Sequence, residues 1–328
     1  MLAAHYERTG PAREVLQVSV LPDPAPAAGE VLVRLRWSGV NPSDVKSRGG
    51  LRTTALPFPR IVPHSDGMGV IEAVGPGVDP SRVGQRVWVW NAAWERPSGT
   101  AAQLVALPQR QALALPPDVS DEVGACLGIP ALTALHAVLV DGGVEDKSVL
   151  VAGGAGAVGH YAVQFARQLG ARQVLSTVSS AHKAALAVAA GADGVANYRN
   201  DDVRAWIRDR TDGRGVDRII EVDIAANGSL DVDVLRKSGD CVVYGSGHRE
   251  FNLPFFPMIS KHARLRFFIV YTLDDADRQH ELAILGDFLR RGQLSHNIAA
   301  RLPMADIAAA HELVESGSAV GNVVLQIP

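Results

Sequence analysis

Cysteine is nearly missing from this chain: its 328 residues include two, Cys126 and Cys241, far apart and without a C-x-x-C spacing. That excludes a disulfide framework and a structural zinc site built on four thiolates. Long apolar runs are missing too. No stretch approaches the ~18 uninterrupted apolar residues of a membrane-spanning helix, and the opening MLAAHYERTG lacks the apolar core of a secretory signal. Cytoplasmic residence with no membrane partner is the resulting expectation. Neither sign of charge is in surplus, since 32 Lys and Arg stand against 35 Asp and Glu. No overall field therefore draws the protein to nucleic acid or anionic lipid. Aromatic residues make up 5% of the chain and do not interleave with basic ones, a second argument against a nucleic-acid partner.

What is present is a large apolar fraction, 47%, in a chain long enough for two domains or one large α/β unit. The first 120 or so residues read as strands separated by Pro and Gly clusters: EVLQVSVL, EVLVRLRWSGV, GMGVIEAVG, GQRVWVWNAAW and GTAAQLVALP. The texture then changes. Strands such as SVLVAG, QVLSTV, GVANY, VDRIIEV and CVVYGS alternate with helical stretches such as HYAVQFARQLGA, HKAALAVAAGA, DVRAWIRDRT and the segment near DVDVLRKS. Such alternation predicts a parallel sheet with helices on both faces. RFFIVYTL reads as a further strand, followed by the amphipathic helix HELAILGDFLRRG, a closing helix in AHELVESG and the strand GNVVLQI. The fold class is therefore α/β, a β-rich domain joined to a doubly wound parallel-sheet domain.

The strongest motif is G-x-G-x-x-G at Gly154, Gly156 and Gly159. The pattern alone is weak, but here a buried strand runs into it and a long helix runs out. In that setting the glycines let backbone approach a pyrophosphate while the helix N-terminus supplies N–H groups and a positive dipole. At the end of the second strand an acid would accept hydrogen bonds from the ribose hydroxyls of NAD. The chain instead has Ser179, Ser180 and Lys183, with no acid before Asp193. Hydroxyls and a cation suit a 2′-phosphate that a carboxylate would repel, so NADP(H) is the expected cofactor.

Order and spacing of SGVNPSDVKSRGG, PHSDGMGVIEAVGPGV, VGQRVWVW, IPALTALHAV, AGAVGHYAVQFARQLGA, VDRIIEV, AHELVESG and GNVVLQI resemble the medium-chain dehydrogenase/reductase superfamily. The resemblance is greatest to its zinc-independent quinone oxidoreductases related to zeta-crystallin. It implies a GroES-like catalytic domain in residues 1–122 and 266–328 and a Rossmann domain in 123–265. It also implies that Asn41 and Thr133 lie near the nicotinamide and Gly156, Ala157 and Val158 against the pyrophosphate. Ser179, Lys183 and Tyr198 would surround the 2′-phosphate and ribose, and Asn227, Gly245 and Ser246 would follow the carboxyl edge of the sheet. Phe268, Ile269 and Val270 would approach the carboxamide, and Asn322 phosphate or nicotinamide. A homodimer joined through RFFIVYTL is a further implication. Relatives carry a tyrosine where this chain has Lys46, which leaves the acceptor open.

Zinc-dependent members of the superfamily take ligands at three positions, which the resemblance places at Asn41, His64 and approximately Ile129. Only the histidine is a ligand, and Cys126 lies about one helical turn from the third position. A set of Asp44, His64 and Asp66 would lack soft donors, so no metal is expected. His64 is expected either to hydrogen-bond in the floor of the active-site cleft near Asn41 or Asp44, or to be satisfied in the core away from substrate. The substrate pocket is expected at Asn41, Asp44, Lys46 and His64, with no catalytic residue assigned. The reaction expected is metal-free hydride transfer from NADPH to an electrophilic acceptor, a quinone or an enone. An alkenal or enone double-bond reductase is the alternative. A reading of another class is an NADPH-binding sensory, structural or RNA-binding protein with little catalysis.

Overall fold

The computed structural model describes residues 1–51 and 55–328. Its contacts divide the chain into one unit of Met1–Pro130 with Phe288–Pro328 and a second of Ala131–Asp287. The first is built on a largely antiparallel sheet in the order Ile298–Pro303, Asn322–Gln326, Glu30–Val40, Asp66–Val74, Arg86–Val89, Ala112–Ala114, with Leu104–Pro108 also pairing Glu30–Val40. Alternation along these strands buries Val31, Val33 and Leu35 from one face, packed with Val87, Val89, Val105 and Val323.

In the second unit six parallel strands lie in the order Gly194–Asn197, Gln173–Val178, Ser148–Ala152, Val216–Glu221, Leu235–Val243, Arg264–Phe267. The order reverses about Ser148–Ala152. This is the doubly wound arrangement whose ligand crevice lies outside the carboxyl ends of the strands. Every residue of Ser148–Ala152 is buried, as a strand covered on both faces requires.

Three segments differ from the sequence reading. The stretch EVLQVSVL begins as a helical turn, Ala12–Val15, and only Gln17–Val20 is strand, because Pro11 starts the turn with its fixed φ. The segment near DVDVLRKS is helix only to Val234 and is strand from Leu235. Lys261 explains the stop: its Nζ donates to the carbonyls of Val232, Asp233 and Leu235 at 2.6, 2.9 and 2.7 Å, spending acceptors at the helix end. RFFIVYTL is strand only through Phe267; Phe268 N–H donates to Val243 O at 3.2 Å, and the neighbouring strand ends there. Without a partner the chain turns into the short 3₁₀ segment Val270–Thr272.

A buried cation ties this sheet to the helix Leu132–Leu139. Arg218, fully buried, donates to the carbonyls of Val138 and Val140 at 3.1 and 2.7 Å and pairs with Asp240 at 3.4 Å. Arg218→Met should lower the unfolding free energy by about 3–5 kcal/mol, because Asp240 and the helix-end carbonyls lose their partner. Urea denaturation checks this, and a loss under about 1 kcal/mol would contradict the assignment.

Candidate functional site

The glycine loop sits between the strand Ser148–Ala152 and the helix Ala157–Gln168. A side chain at Gly159 would put Cβ 2.2 Å from Gly153 O, and one at Gly154 would put it 2.1 Å from Ser176 Oγ. Both glycines are therefore required for the close strand-to-helix turn. Gly156 is the N-cap and offers no side-chain cap, so no capping side chain takes the first-turn N–H groups of Ala157, Val158 and Gly159 at the positive end of a 12-residue helix.

Next to this cradle, Ser180 caps the helix Ala181–Ala189 by accepting from Lys183 N at 3.3 Å, and Lys183 Nζ donates to Ser179 Oγ at 3.1 Å. Parallel pairing of Asn197 with Val178 brings Tyr198 alongside, its N–H donating to Val178 O at 3.0 Å and its ring 55% exposed. Ser179, Ser180, Lys183 and Tyr198 thus form one group at the carboxyl ends of two strands, carrying a cation and hydroxyls.

Beyond the next strand the polarity inverts. Glu221, fully buried, accepts from Asp223 N and from Asn227 Nδ2, the latter at 2.9 Å. Its other oxygen and Asp231 Oδ2 are buried without a donor, and the two carboxyls interact. Two acceptor-only groups in contact are reconciled by one shared proton. Burial, and then the charge of Glu221, hold Asp231 well above the usual carboxylate range. Asn227 thus gives a hydrogen to the protein interior. Gly245 closes against Val222, where a Cβ would lie 2.1 Å from the carbonyl oxygen, and Ser246 Oγ donates to His248 O at 2.7 Å. Thr133 is buried in the helix Leu132–Leu139, and the Phe268 ring packs on His136.

In the β-rich unit Asn41 caps the helix Pro42–Arg48; its N–H donates to Asp44 Oδ2 at 2.8 Å and its side-chain Nδ2 to Asp66 Oδ2 at 2.9 Å. Ile129 N–H donates to the same oxygen at 2.9 Å. Lys46 is half-buried in that helix. Asn322 donates twice to Asn297 O, from N at 2.8 Å and from Nδ2 at 3.0 Å, which ties down the start of the last strand.

Among the described residues no hydrogen bond joins His64 to Asn41 or Asp44. The residue is fully buried with φ of 77°, its Nδ1 lying 2.8 Å from Ser38 Oγ and its Nε2 2.9 Å from His311 Nε2. The proton order follows from one fixed end. Thr100 donates to Asp66 O, so it accepts from Ser38; Ser38 then accepts from His64 Nδ1–H, and His64 Nε2 accepts from His311. Burial keeps both imidazoles neutral, pushing His311 down to about 3 and His64 well below its usual value.

The region 157–288 matches the family model for zinc-binding dehydrogenases, and 27–117 the model for alcohol dehydrogenase GroES-like domains. Rat quinone oxidoreductase is 31% identical over 325 residues, covering 98% of this chain and 95% of the relative. The chain belongs to the medium-chain dehydrogenase/reductase superfamily. Two solved structures of this superfamily superpose closely. One, an NAD-dependent alcohol dehydrogenase, has 29% identity and a TM-score of 0.91, each chain covered completely. The other, Escherichia coli quinone oxidoreductase complexed with NADPH, has 25% identity and a TM-score of 0.88, with 99% of this chain and 100% of the other covered. The GroES-like and Rossmann architecture expected from the sequence is the one observed.

As a medium-chain dehydrogenase/reductase the protein is an oxidoreductase, and its three positions corresponding to zinc ligands can be judged on their geometry. Asn41 and Ile129 do converge, but on the side chain of Asp66, which the sequence had suggested only as a partner of Asp44 and His64. The signal lay in Gly128, where a Cβ would stand 2.2 Å from Asp66 Oδ1. His136, Glu281 and His311 also escaped the sequence reading, because their partners lie 145 and 247 residues away.

The acid pair carries a pH signature. In the folded protein the Glu221–Asp231 pair keeps its shared proton above the usual carboxylate range, so its contribution to stability is full in acid and is lost as pH rises from that range toward the raised values. Asp231→Asn should stabilise the protein by roughly 1–2 kcal/mol at pH 8 and by little at pH 4. Denaturant titrations at the two pH values test it, and lower stability of the variant at pH 8 would refute the shared proton.

Proposed function

We propose that this enzyme is an NADPH-dependent quinone reductase that transfers hydride without a metal. The observation that carries the cofactor choice is the Ser179–Lys183 pair beside Tyr198, standing where an NAD site would present a carboxylate. Lys183 Nζ and the hydroxyls supply charge-assisted hydrogen bonds to a 2′-phosphate, while the N–H groups of Ala157 to Gly159 receive the pyrophosphate. Bound NADPH supplies the hydride from C4 of its nicotinamide. The quinone takes that hydride and one proton from solvent, leaving hydroquinone and NADP⁺. The protein's part is to hold donor and acceptor at reacting distance.

The donor set argues against zinc. Asp66 Oδ2 already accepts two N–H groups, and both ring nitrogens of His64 are engaged inside the core. Asn41 offers an amide and Ile129 a backbone N–H aimed at the carboxylate, neither of which is a zinc ligand in this arrangement. Lacking a Lewis acid for a simple alcohol or ketone, the site suits an acceptor that is already electrophilic. Turnover with a benzoquinone, an alkenal and an enoyl thioester separates the quinone reading from a double-bond reductase, and inactivity with all three would refute both. NADPH should bind at least tenfold more tightly than NADH, and Lys183→Ala should remove about 1.5–3 kcal/mol of that difference while leaving NADH affinity unchanged. Fluorescence titration of both coenzymes measures this, and equal affinities in the wild type would sink the assignment.

The homodimer is part of the same proposal. Arg264–Phe267 is an edge strand of the parallel sheet, and Phe267 is 51% exposed on it. Phe255, Phe256 and Ile259 on the neighbouring helix Phe255–Lys261 are more exposed still, at 67%, 79% and 56%. Apolar surface of this kind beside an open strand edge suits pairing with a second copy of the chain. Light scattering should give twice the chain mass for the wild type and the single-chain mass for Phe256→Glu with Phe267→Glu.

A further inference from the structure

The loop that leaves the last strand of the parallel sheet is held from beneath by a buried polar cluster. His136, on the helix Leu132–Leu139, and Glu281, on the helix Asp275–Arg290, meet through Nδ1 and Oε1 at 2.6 Å, each side chain only 3% exposed. The imidazole of His136 supports the ring of Phe268, with centroids 4.5 Å apart and planes tilted by 55°. One helical turn before Glu281, the buried guanidinium of Arg278 donates to the carbonyl of Val270 and is acted on by the charge of Glu281. His136 and Arg278 thus meet two of the loop's anchor points, the Phe268 ring and the Val270 carbonyl, and Glu281 holds His136. The third is the bond from Phe268 N–H to Val243 O.

We propose that His136 and Glu281 are positioning residues for the nicotinamide end of the coenzyme, acting through the backbone of Phe268–Val270. The proposal rests on the NADPH reading above. With the pyrophosphate at the loop after Ser148–Ala152 and the 2′-phosphate beside Gln173–Val178, the dinucleotide runs along the carboxyl edge past Val216–Glu221 and Leu235–Val243 toward this loop. Recognition of a carboxamide needs peptide groups fixed in direction, since displacement by about 1 Å forfeits hydride-transfer geometry. For stability alone the cluster is a poor device, because the hydrogen bonds of buried polar groups do little more than offset their desolvation. What it provides that apolar side chains do not is a directed hold on the Phe268 ring and the Val270 carbonyl.

Adenosine 2′,5′-bisphosphate carries the phosphates of the adenosine end and no nicotinamide, so it separates a positioning role from general loosening of the unit. In Glu281→Gln and His136→Leu, the dissociation constant for NADPH should rise at least about tenfold, with a fall in kcat toward benzoquinone. That for adenosine 2′,5′-bisphosphate should stay within about twofold. His136→Asn, which retains an N–H toward Glu281, should recover part of the lost NADPH affinity and also serves if the leucine variant fails to fold. Parallel weakening of both ligands, or no change in either, would overturn the proposal. Wild-type protein that fails to bind NADPH while binding NADH would instead refute the cofactor reading and the proposal with it.

Discussion

Burying the Asp66 carboxylate among N–H donors, without a cation as its partner, costs several kcal/mol before its hydrogen bonds are counted, and the β-rich unit is arranged around that group. Its Oδ2 takes Asn41 Nδ2 and Ile129 N–H, its backbone carbonyl takes Thr100, and Gly128 leaves the room that Oδ1 occupies. Gly39 completes the fit, since a Cβ there would stand 2.0 Å from Ala125 O and 3.1 Å from Asp66 Cβ. Desolvation raises the carboxyl well above its usual range, and the two N–H donors oppose that rise. One side chain thereby fixes the capping residue of the helix Pro42–Arg48 and the segment near Ile129, which sequence separates by about 90 positions.

The Rossmann unit distributes charge along its carboxyl edge in a way that a dinucleotide would meet in order. Free helix N–H groups stand at the glycine loop and a lysine with serines stands on one side of it, where phosphates are expected. On the other side Glu221 and Asp231 reduce their combined charge by sharing a proton, and Asn227 and Asp223 N–H occupy the remaining oxygen. An unneutralised acid pair would repel the pyrophosphate from close range in a low-dielectric crevice. Retaining one proton halves that charge, and it accounts for two buried oxygens that no ordinary donor reaches.

How much of this was legible depended on whether the signal was local. The glycine loop, the strand before it and the helix after it could be read because spacing, burial pattern and capping all fall within about twenty consecutive residues, and Ser179 and Lys183 followed for the same reason. The end of the helix at Val234 could not, because Lys261 stops it from 26 to 29 residues away. His64 misled for a related reason. A histidine beside glycines suggested a site, but its positive φ and its partner on the helix Ile307–Glu315 turn the ring into the core, and neither is visible in PHSDGMG. Asp66, two residues on, had the opposite fate: an acid in a glycine-rich strand reads as surface unless the small residues opposite it are known.

The two ends of the proposed coenzyme path differ in how they are built, and this bears on how such an enzyme changes specificity. At the proposed adenosine end the groups assigned to the phosphate sit on the margin of the unit: Tyr198 is exposed, and Lys183 is half-buried and bonded to the Ser179 hydroxyl. Substituting such groups alters folding stability by roughly 0.5 kcal/mol or less, so coenzyme preference can move with little structural consequence. At the other end His136, Glu281 and Arg278 are almost fully buried, with His136 bonded to Glu281 and Arg278 to the Val270 carbonyl, and removing one partner of a buried hydrogen bond costs about 1–3 kcal/mol, more where the group left behind is charged. A fold with a stability margin of about 5–15 kcal/mol can absorb many changes of the first kind and few of the second. Under the proposed NADPH reading, phosphate preference is thus the adjustable feature, and the geometry at the nicotinamide end is the constrained one.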